Sequence, residues 1–214
     1  MRVCPDAMSV HTDEGAHTGV PLQHEPFLTK YNPDIHHRHS IRLRDYDYSQ
    51  AGAYFLTICT KDRECLFGEI LDGGMRLDEY GSIVQECWDA VPKHFNDVQL
   101  DEYVVMPNHF HGIVIIAGDV GARHAVPLRM VEQFGKPVPN SLPTVIRSFK
   151  SAVTKKTNVI RGIHGIPLWQ RNYYEHVMRN EEELNGFREY IHNNPMQWEM
   201  DEENPERNER EEGA

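Results

Sequence analysis

The distribution of apolar residues divides the chain into a patterned middle and two unpatterned ends. Residues 1–40 contain few apolar positions and no period, so they cannot bury enough surface to offset the entropy of ordering them. Residues 199–214 contain eight acidic and two basic residues and almost no apolar ones, which is typical of a solvated segment. We therefore predict a flexible N-terminal arm over 1–40, a folded domain over 41–198 and an acidic disordered tail over 199–214.

Three strands and one helix are predicted in the first half of this domain. The stretch GAYFLTICT, residues 52–60, is aromatic and β-branched and follows turn formers, as expected for a strand. Residues 98–106 and 109–116 are two further apolar runs, and the short connection between them predicts an antiparallel hairpin. Asp78 is a candidate N-cap, because apolar residues follow it at helical spacing. These residues are Ile83, Val84, Cys87, Trp88, Val91 and Phe95.

The second half predicts a helix, a strand and a final helix. The first helix extends from Leu142 to about residue 156, and residues 168–178 form an irregular extended strand. The last helix covers EEELNGFREYIHN, residues 181–193, with Asn180 as its N-cap and Pro195 ending it. The segment 118–143 is rich in Gly and Pro and long for an ordinary connection, so it is either a mobile loop or a functional one.

The order β-α-β-β-α-β followed by a helix corresponds to the ferredoxin-like, split βαβ arrangement. We predict an α+β fold with a central antiparallel sheet, helices on one face of it, and a C-terminal helix that carries Tyr190.

The charge of individual segments is more informative than the net charge of the whole chain. A net charge of −11 argues against nucleic acid, since Lys and Arg usually drive that binding. Much of the negative charge, however, lies in the predicted arm and tail. Residues 144–161 contain five bases and no acid, which is either a local patch for a polyanion or an ordinary solvated helix face.

Cysteine usage and hydropathy limit the class of protein. The four cysteines form no CxxC pair, so neither a disulfide scaffold nor a zinc knuckle is indicated. No apolar run approaches the about 18 residues needed to cross a bilayer, and no hydrophobic signal core is visible at the N-terminus. We expect a cytoplasmic protein without a membrane partner.

Two histidines interrupt the most apolar stretch of the chain. His109 and His111 are two apart on a predicted strand, so they share a face with their Cα atoms about 7 Å apart. Such a pair can chelate one ion with a third ligand from elsewhere. The alternative is that both are ordinary core histidines with satisfied hydrogen bonds.

The last helix offers polar partners for the histidines. Tyr190 and Asn194 are four residues apart and therefore neighbours on one helical face. Asn provides a neutral oxygen for a cation, and Tyr becomes a nucleophile once deprotonated. A helical Tyr more often keeps its hydroxyl in water at the edge of the core.

Four stretches in order resemble a known family. GAYFLTICTKDR, YVVMPNHFHGIV, LWQRNYYEHVMRNEEEL and YIHNNP are similar to the REP-associated tyrosine transposases, single-tyrosine (Y1) members of the HUH endonucleases. The resemblance covers residues 41–198. It departs after the final NP, where basic residues are common in the family but MQWEMDEEN follows here.

The resemblance implies a metal-dependent enzyme acting on single-stranded DNA. By position, Tyr190 corresponds to the nucleophile, and His109, His111 and Asn194 to the metal ligands. It also implies Mg²⁺ or Mn²⁺ as the ion, a palindromic repeat hairpin as the substrate, and a covalent 5′-phosphotyrosine intermediate that needs no nucleotide cofactor. Relatives include monomers and homodimers, so both states stay open.

Basic and aromatic residues of the second half are predicted to contact the DNA strand through phosphates and stacked bases. They are Arg147, Lys150, Lys155, Lys156, Trp169 and Arg171.

Three other functions fit parts of the sequence. A domesticated transposase that recognises repeat hairpins without cutting them would keep the same residues. A nucleotidyl hydrolase of the histidine-triad type uses HxHxH, but Ile113 occupies the third histidine position. A structural zinc site would use the histidine pair alone.

Overall fold

The computed structural model describes residues 46–117 and 138–207, which lie within the compact unit Ser40–Ala214. The predicted arm over 1–40, most of the predicted 118–143 loop and residues 208–214 lie outside the described residues. Within the described parts, no helix combines the length and apolar character needed to cross a membrane.

The described chain forms six strands and four α-helices. The strands are β1 (Gly52–Cys59), β2 (Gly68–Leu71), β3 (Gly74–Leu77), β4 (Val98–Val105), β5 (His109–Ile116) and β6 (Tyr174–Met178). The helices are α1 (Glu79–Asp89), α2 (Val91–His94), α3 (Leu142–Ile160) and α4 (Glu181–Asn193), with short 3-10 helices at Lys61–Arg63 and Pro195–Met200.

The main sheet confirms the predicted ferredoxin-like α+β fold. Its strand order is β4-β5-β1-β6, and every neighbouring pair is antiparallel. In the β1–β5 register, Cys59 lies opposite His109 and Thr57 lies opposite His111. The histidine strand is therefore a central strand, covered on both edges by its neighbours.

Helices cover the two faces of the sheet separately. On one face, α1 and α3 pack against the alternate residues of β1 and β5 that include Leu56 and Phe110, with Trp88 fully buried between them. On the other face, Leu184 and Ile191 of α4 pack on the sheet in a smaller apolar cluster. The predicted C-terminal helix, α4, thus lies on the face opposite α1 and α3. His109 and His111 share the face that α4 covers.

The two N-cap residues predicted from the sequence, Asp78 and Asn180, are confirmed. The Asp78 side chain accepts from the Gly81 N–H at 2.8 Å, and the Asn180 side chain accepts from the Glu183 N–H at 2.8 Å. Each bond satisfies one of the first-turn N–H groups that have no partner within the helix.

Several local features differ from the predictions. The strand expected over residues 168–178 is confined to Tyr174–Met178, and the helix expected to end near residue 156 continues to Ile160. The single helix expected after Asp78 is divided at Ala90 into α1 and α2, because Pro92 has no N–H to continue the helical ladder. The β2–β3 hairpin lies in a segment for which no strand was predicted. Asp72 and Gly73 both have positive φ there, 52° and 74°, as a tight hairpin turn requires.

The acidic C-terminal segment also differs from the predicted tail that begins at residue 199. Asn204 is buried, and its amide donates to the Trp198 carbonyl at 2.9 Å. Glu203 forms an ion pair with Arg63 at 2.7 Å. Polar anchoring therefore holds the segment through residue 207 in the fold, although it offers almost no apolar surface.

Candidate metal and nucleophile site

The two histidines of β5 meet at their ring nitrogens. The Nε2 atoms of His109 and His111 lie 3.0 Å apart, and both side chains are buried. Two lone pairs cannot face each other at this distance without a proton or a cation between them. The geometry therefore requires either a shared proton or a shared ion.

The tautomer of His109 follows from its neighbour. The Asn108 amide nitrogen donates to the carbonyls of Arg63 at 3.0 Å and Glu203 at 2.7 Å, so its Oδ1 is an acceptor. That oxygen lies 2.9 Å from His109 Nδ1, which must then carry the proton. His109 Nε2 is left with its lone pair directed at His111, as a metal ligand requires.

Thr57 supports His111 in either tautomer. Its Oγ1 lies 2.9 Å from His111 Nδ1, and a hydroxyl can both donate and accept. Without a cation, His111 Nε2–H donates to His109 Nε2 while Thr57 donates to Nδ1. With a cation between the rings, the proton resides on Nδ1 and Thr57 accepts it.

Burial keeps both imidazoles neutral. Desolvation lowers the pKa of His109 and of His111 to about 3. At neutral pH the rings are therefore in the form that binds metal ions.

Asn194 contributes an oxygen to the same site. It is 2% exposed and lies at the C-terminal end of α4. Its buried Oδ1 has no hydrogen-bond partner among residues 46–117 and 138–207. An unsatisfied buried acceptor costs about 1–3 kcal/mol, and a bound cation would remove that cost.

Asp201 is a site residue that the sequence did not reveal. Its carboxylate lies 3.8 Å from His109 Nε2, and the ligand-capable atoms of His109, His111 and Asp201 all lie within 4.8 Å of one another. The other carboxylate oxygen accepts the Glu203 N–H at 2.7 Å, which orients the group. Imidazole nitrogens with amide and carboxylate oxygens form a donor set suited to a divalent metal ion.

Tyr190 lies at the open side of this cluster. Its hydroxyl is 3.4 Å from His111 Nε2, and 41% of the residue is exposed. Burial, followed by the negative charge of Asp201, raises the pKa of Tyr190 to about 12. The phenol is protonated at neutral pH, so its activation as a nucleophile needs a nearby positive charge or a base.

A cavity of about 510 Å³ adjoins the cluster. Its walls include Thr57, His111, Tyr190 and Asn194. The exposed Tyr174 and the acidic C-terminal segment complete the lining. Tyr190 and three of the candidate ligands, His111, Asn194 and Asp201, therefore open onto one space, whereas His109 is buried behind them.

The predicted DNA-contacting cations divide into two groups. Arg147, Lys155, Lys156 and Arg171 are exposed, although Lys156 also pairs with Glu86 at 3.1 Å. Lys150 instead donates to three successive carbonyls, those of Gln170, Arg171 and Asn172, at 2.7, 3.2 and 3.4 Å. Desolvation lowers the pKa of Lys150 to about 8, and its ammonium donors are directed at the carbonyls of the loop before β6.

Trp169 is buried, contrary to the prediction that it contacts DNA. Only 5% of it is exposed, and its ring packs 5.1 Å from that of Phe67 and 6.1 Å from that of Phe149. Its aromatic faces are therefore occupied by the core and are not available to a base.

The fold and the site define an α+β protein in which paired histidines on a central strand face a tyrosine and an asparagine on a terminal helix. An uncharacterized protein of Haemophilus influenzae is 44% identical over 175 residues, which cover 81% of this chain and 96% of that protein. The chain belongs to the same protein family as that relative.

A further relative and a solved structure carry a descriptive name. A Haemophilus influenzae protein named "Putative REP-associated tyrosine transposase" is 25% identical over 151 residues, or 70% of this chain and 73% of that protein. The resemblance found in the sequence motifs is thereby confirmed. A structure described as a REP-associated tyrosine transposase bound to a REP hairpin has 20% identity and a TM-score of 0.49, with 73% of each chain covered. No protein-family model matches the chain.

Proposed function

We propose that the protein is a single-stranded DNA nuclease and strand transferase that cleaves and rejoins DNA at palindromic repeat hairpins through a 5′-phosphotyrosine intermediate. The observation that carries the proposal is the position of the Tyr190 hydroxyl, 3.4 Å from His111 Nε2, beside two neutral imidazoles and the unsatisfied oxygen of Asn194. The name of the relative that is 25% identical supports the same reaction class.

The residues fit a divalent cation, Mg²⁺ or Mn²⁺. His109, His111 and Asn194 would hold it, with Asp201 as a neighbouring carboxylate. When bound, the ion would supply positive charge that offsets the scissile phosphate and favours the phenolate of Tyr190.

Tyr190 performs the covalent step. Its hydroxyl oxygen bonds to phosphorus as the bond to the 3′ oxygen breaks. The phenol loses its proton, the departing 3′ oxygen gains one, and the 5′ phosphate stays esterified to Tyr190. Because the ester retains the bond energy, a 3′-hydroxyl can reverse the step and rejoin a strand without a nucleotide cofactor.

Exposed cations on α3 and beside it would guide the strand. Arg147, Lys155 and Lys156 lie on one helix, and Arg171 lies in the loop before β6. Such side chains bind phosphates without reading sequence.

The first experiment detects the covalent adduct on a denaturing gel. Labelled single-stranded hairpins from the palindromic repeats near the gene are incubated with Mn²⁺ or Mg²⁺. We expect an adduct with the wild type and none with Tyr190→Phe or His109→Ala. Tyr80→Phe, on α1, is the matched control and should behave like the wild type. Hairpin binding without an adduct under either metal would identify a binding module instead.

A second variant tests the ligand set. Asn194→Ala should weaken cleavage at limiting Mn²⁺ while hairpin binding stays unchanged. Unchanged cleavage at limiting metal would remove Asn194 from the ligands.

A further inference from the structure

Tyr174 is an exposed aromatic residue at the mouth of the candidate active site. It begins β6, an outer strand of the sheet, and pairs with Thr57, the residue that contacts His111. It is 52% exposed and lines the same cavity as Tyr190. An aromatic side chain this open, on an ordered strand, presents apolar surface directly to whatever the cavity binds.

One core residue supports the ring. The Phe55 ring lies edge-on to Tyr174 at 6.5 Å and edge-on to Tyr190 at 5.9 Å, and it stacks on His111 at 5.3 Å. Phe55 is buried, so it fixes the position of the exposed ring relative to the nucleophile and the histidine pair.

The chemistry of the ring indicates its ligand. A phenol carries no positive charge at neutral pH and does not attract phosphates as Lys or Arg does, whereas its π-face stacks on any unpaired base. We propose that Tyr174 is the stacking platform for a base flanking the phosphate that Tyr190 attacks. The inference rests on the proposed function and supplies the base contact that the buried Trp169 cannot make.

The two tyrosines at the cavity have different roles in this proposal. Tyr190 has its hydroxyl beside His111 and uses oxygen, whereas Tyr174 uses only its ring. Replacing Tyr174 with Phe should therefore be harmless, while replacing it with Ala should not.

The test measures binding and base stacking without cleavage. All proteins carry Tyr190→Phe, and the probe is a single-stranded hairpin with 2-aminopurine in turn at each position near the hairpin foot. Fluorescence anisotropy gives Kd, and 2-aminopurine quenching reports stacking. Because this background forms no adduct, failure of the proposed chemistry does not affect the reading.

We expect Tyr174→Ala to weaken binding about 5- to 150-fold, the range for one lost base–aromatic stack, and to abolish quenching at one position. Tyr174→Phe should keep both signals. Met200→Ala is the matched control, because Met200 is an exposed apolar residue of the same cavity without a ring; it should change Kd less than twofold.

Two results would overturn the inference. One is a Tyr174→Ala protein with unchanged Kd and unchanged quenching. The other is loss of the adduct when Tyr174→Phe is made in the protein that retains Tyr190, since this would assign the Tyr174 hydroxyl to the chemistry.

Discussion

The side chain of Asn108 accepts the Nδ1–H of His109 across 2.9 Å and at the same time donates to the main-chain carbonyls of Arg63 and Glu203. One buried amide thus orients a candidate metal ligand and joins it to two distant segments of the chain. The 3-10 helix after β1 and the acidic C-terminal segment are both fixed at the site through this residue.

Loss of the Asn108 amide should weaken metal binding by more than the accompanying loss of protein stability explains. For Asn108→Ala we expect Mn²⁺ affinity to fall about 10- to 100-fold, the usual effect of removing a residue that orients a ligand histidine. Isothermal titration with Mn²⁺ measures the affinity, and ¹⁵N NMR of the imidazoles should show His109 losing its single tautomer.

Asn204→Ala is the control for Asn108→Ala. It also removes a buried amide that donates to a main-chain carbonyl, that of Trp198, but it leaves Asn108 in place. Equal losses of Mn²⁺ affinity in the two variants would mean that Asn108 acts only through stability.

Acidic residues of the cavity should oppose the approach of DNA. Glu202 is exposed and lines the cavity. Glu202→Gln is expected to tighten binding of the single-stranded hairpin about 1.5- to fivefold at low salt, as for one exposed charge interaction, with the gain fading as salt increases. Fluorescence anisotropy titrations between 20 and 300 mM NaCl measure the affinity for the hairpin. The control is Glu189→Gln, on the exposed surface of α4 outside the cavity lining, which should give a smaller gain in affinity.

Gly112 follows His111 on β5 and has a packing role on the opposite face of the sheet, which α1 and α3 cover. A Cβ at this position would lie 2.7 Å from the Phe110 ring and 2.9 Å from the Trp88 ring, both of which are fully buried. Gly112→Ala should lower the free energy of unfolding by about 1–3 kcal/mol, the usual cost of overpacking.

Urea denaturation measures the effect of Gly112→Ala. Gly186→Ala on α4 is the matched control, since a Cβ there meets nothing within 4 Å. This control should be neutral or should stabilise the protein, because Ala is a better helix former than Gly. A Gly112→Ala protein as stable as the control would refute the packing argument.

The ion pair that docks α4 on β4 should make stability depend on pH. Arg188 Nε and Nη2 donate to the two oxygens of Asp101 at 2.9 and 2.5 Å. The hydrogen bonds from Arg188 hold the pKa of Asp101 below its usual 3.8. As the pH falls, Asp101 is therefore protonated in the unfolded chain before it is protonated in the folded protein. The stabilisation by the ion pair is present above pH 3.8 and is lost as the pH falls toward the lower pKa of the folded state.

Asp101→Asn tests this linkage. Urea titrations at pH 7 and at pH 3 should show the variant less stable than the wild type at pH 7 and the difference shrinking at pH 3. Glu102→Gln, the exposed neighbour, should show no such convergence. A constant difference between Asp101→Asn and the wild type at both pH values would contradict the linkage.

Sequence periodicity predicted much of the framework of the site. The i, i+2 spacing put His109 and His111 on one face of β5, and the i, i+4 spacing put Tyr190 and Asn194 together on α4. Both relations are local and follow from strand and helix geometry. The resemblance to the family was likewise visible in the sequence motifs.

Other features depended on contacts between distant parts of the chain. Asp201 belongs to an acidic stretch that resembles a solvated tail, and the contacts of Glu203 with Asn108 and Arg63 help to bring it to the histidines. The same holds for Trp169, whose burial depends on Phe67, and for Lys150, whose charge is taken up by carbonyls twenty residues away.

The sequence by itself thus determined most of the secondary structure, the order of the main-sheet strands along the chain and the pairing of candidate site residues within each element, because those depend on periods of two and 3.6 residues and on caps. Only the tertiary structure decided which acidic, basic and aromatic side chains reach the site. Their exposure and partners depend on which segments pack together, and no local pattern records that.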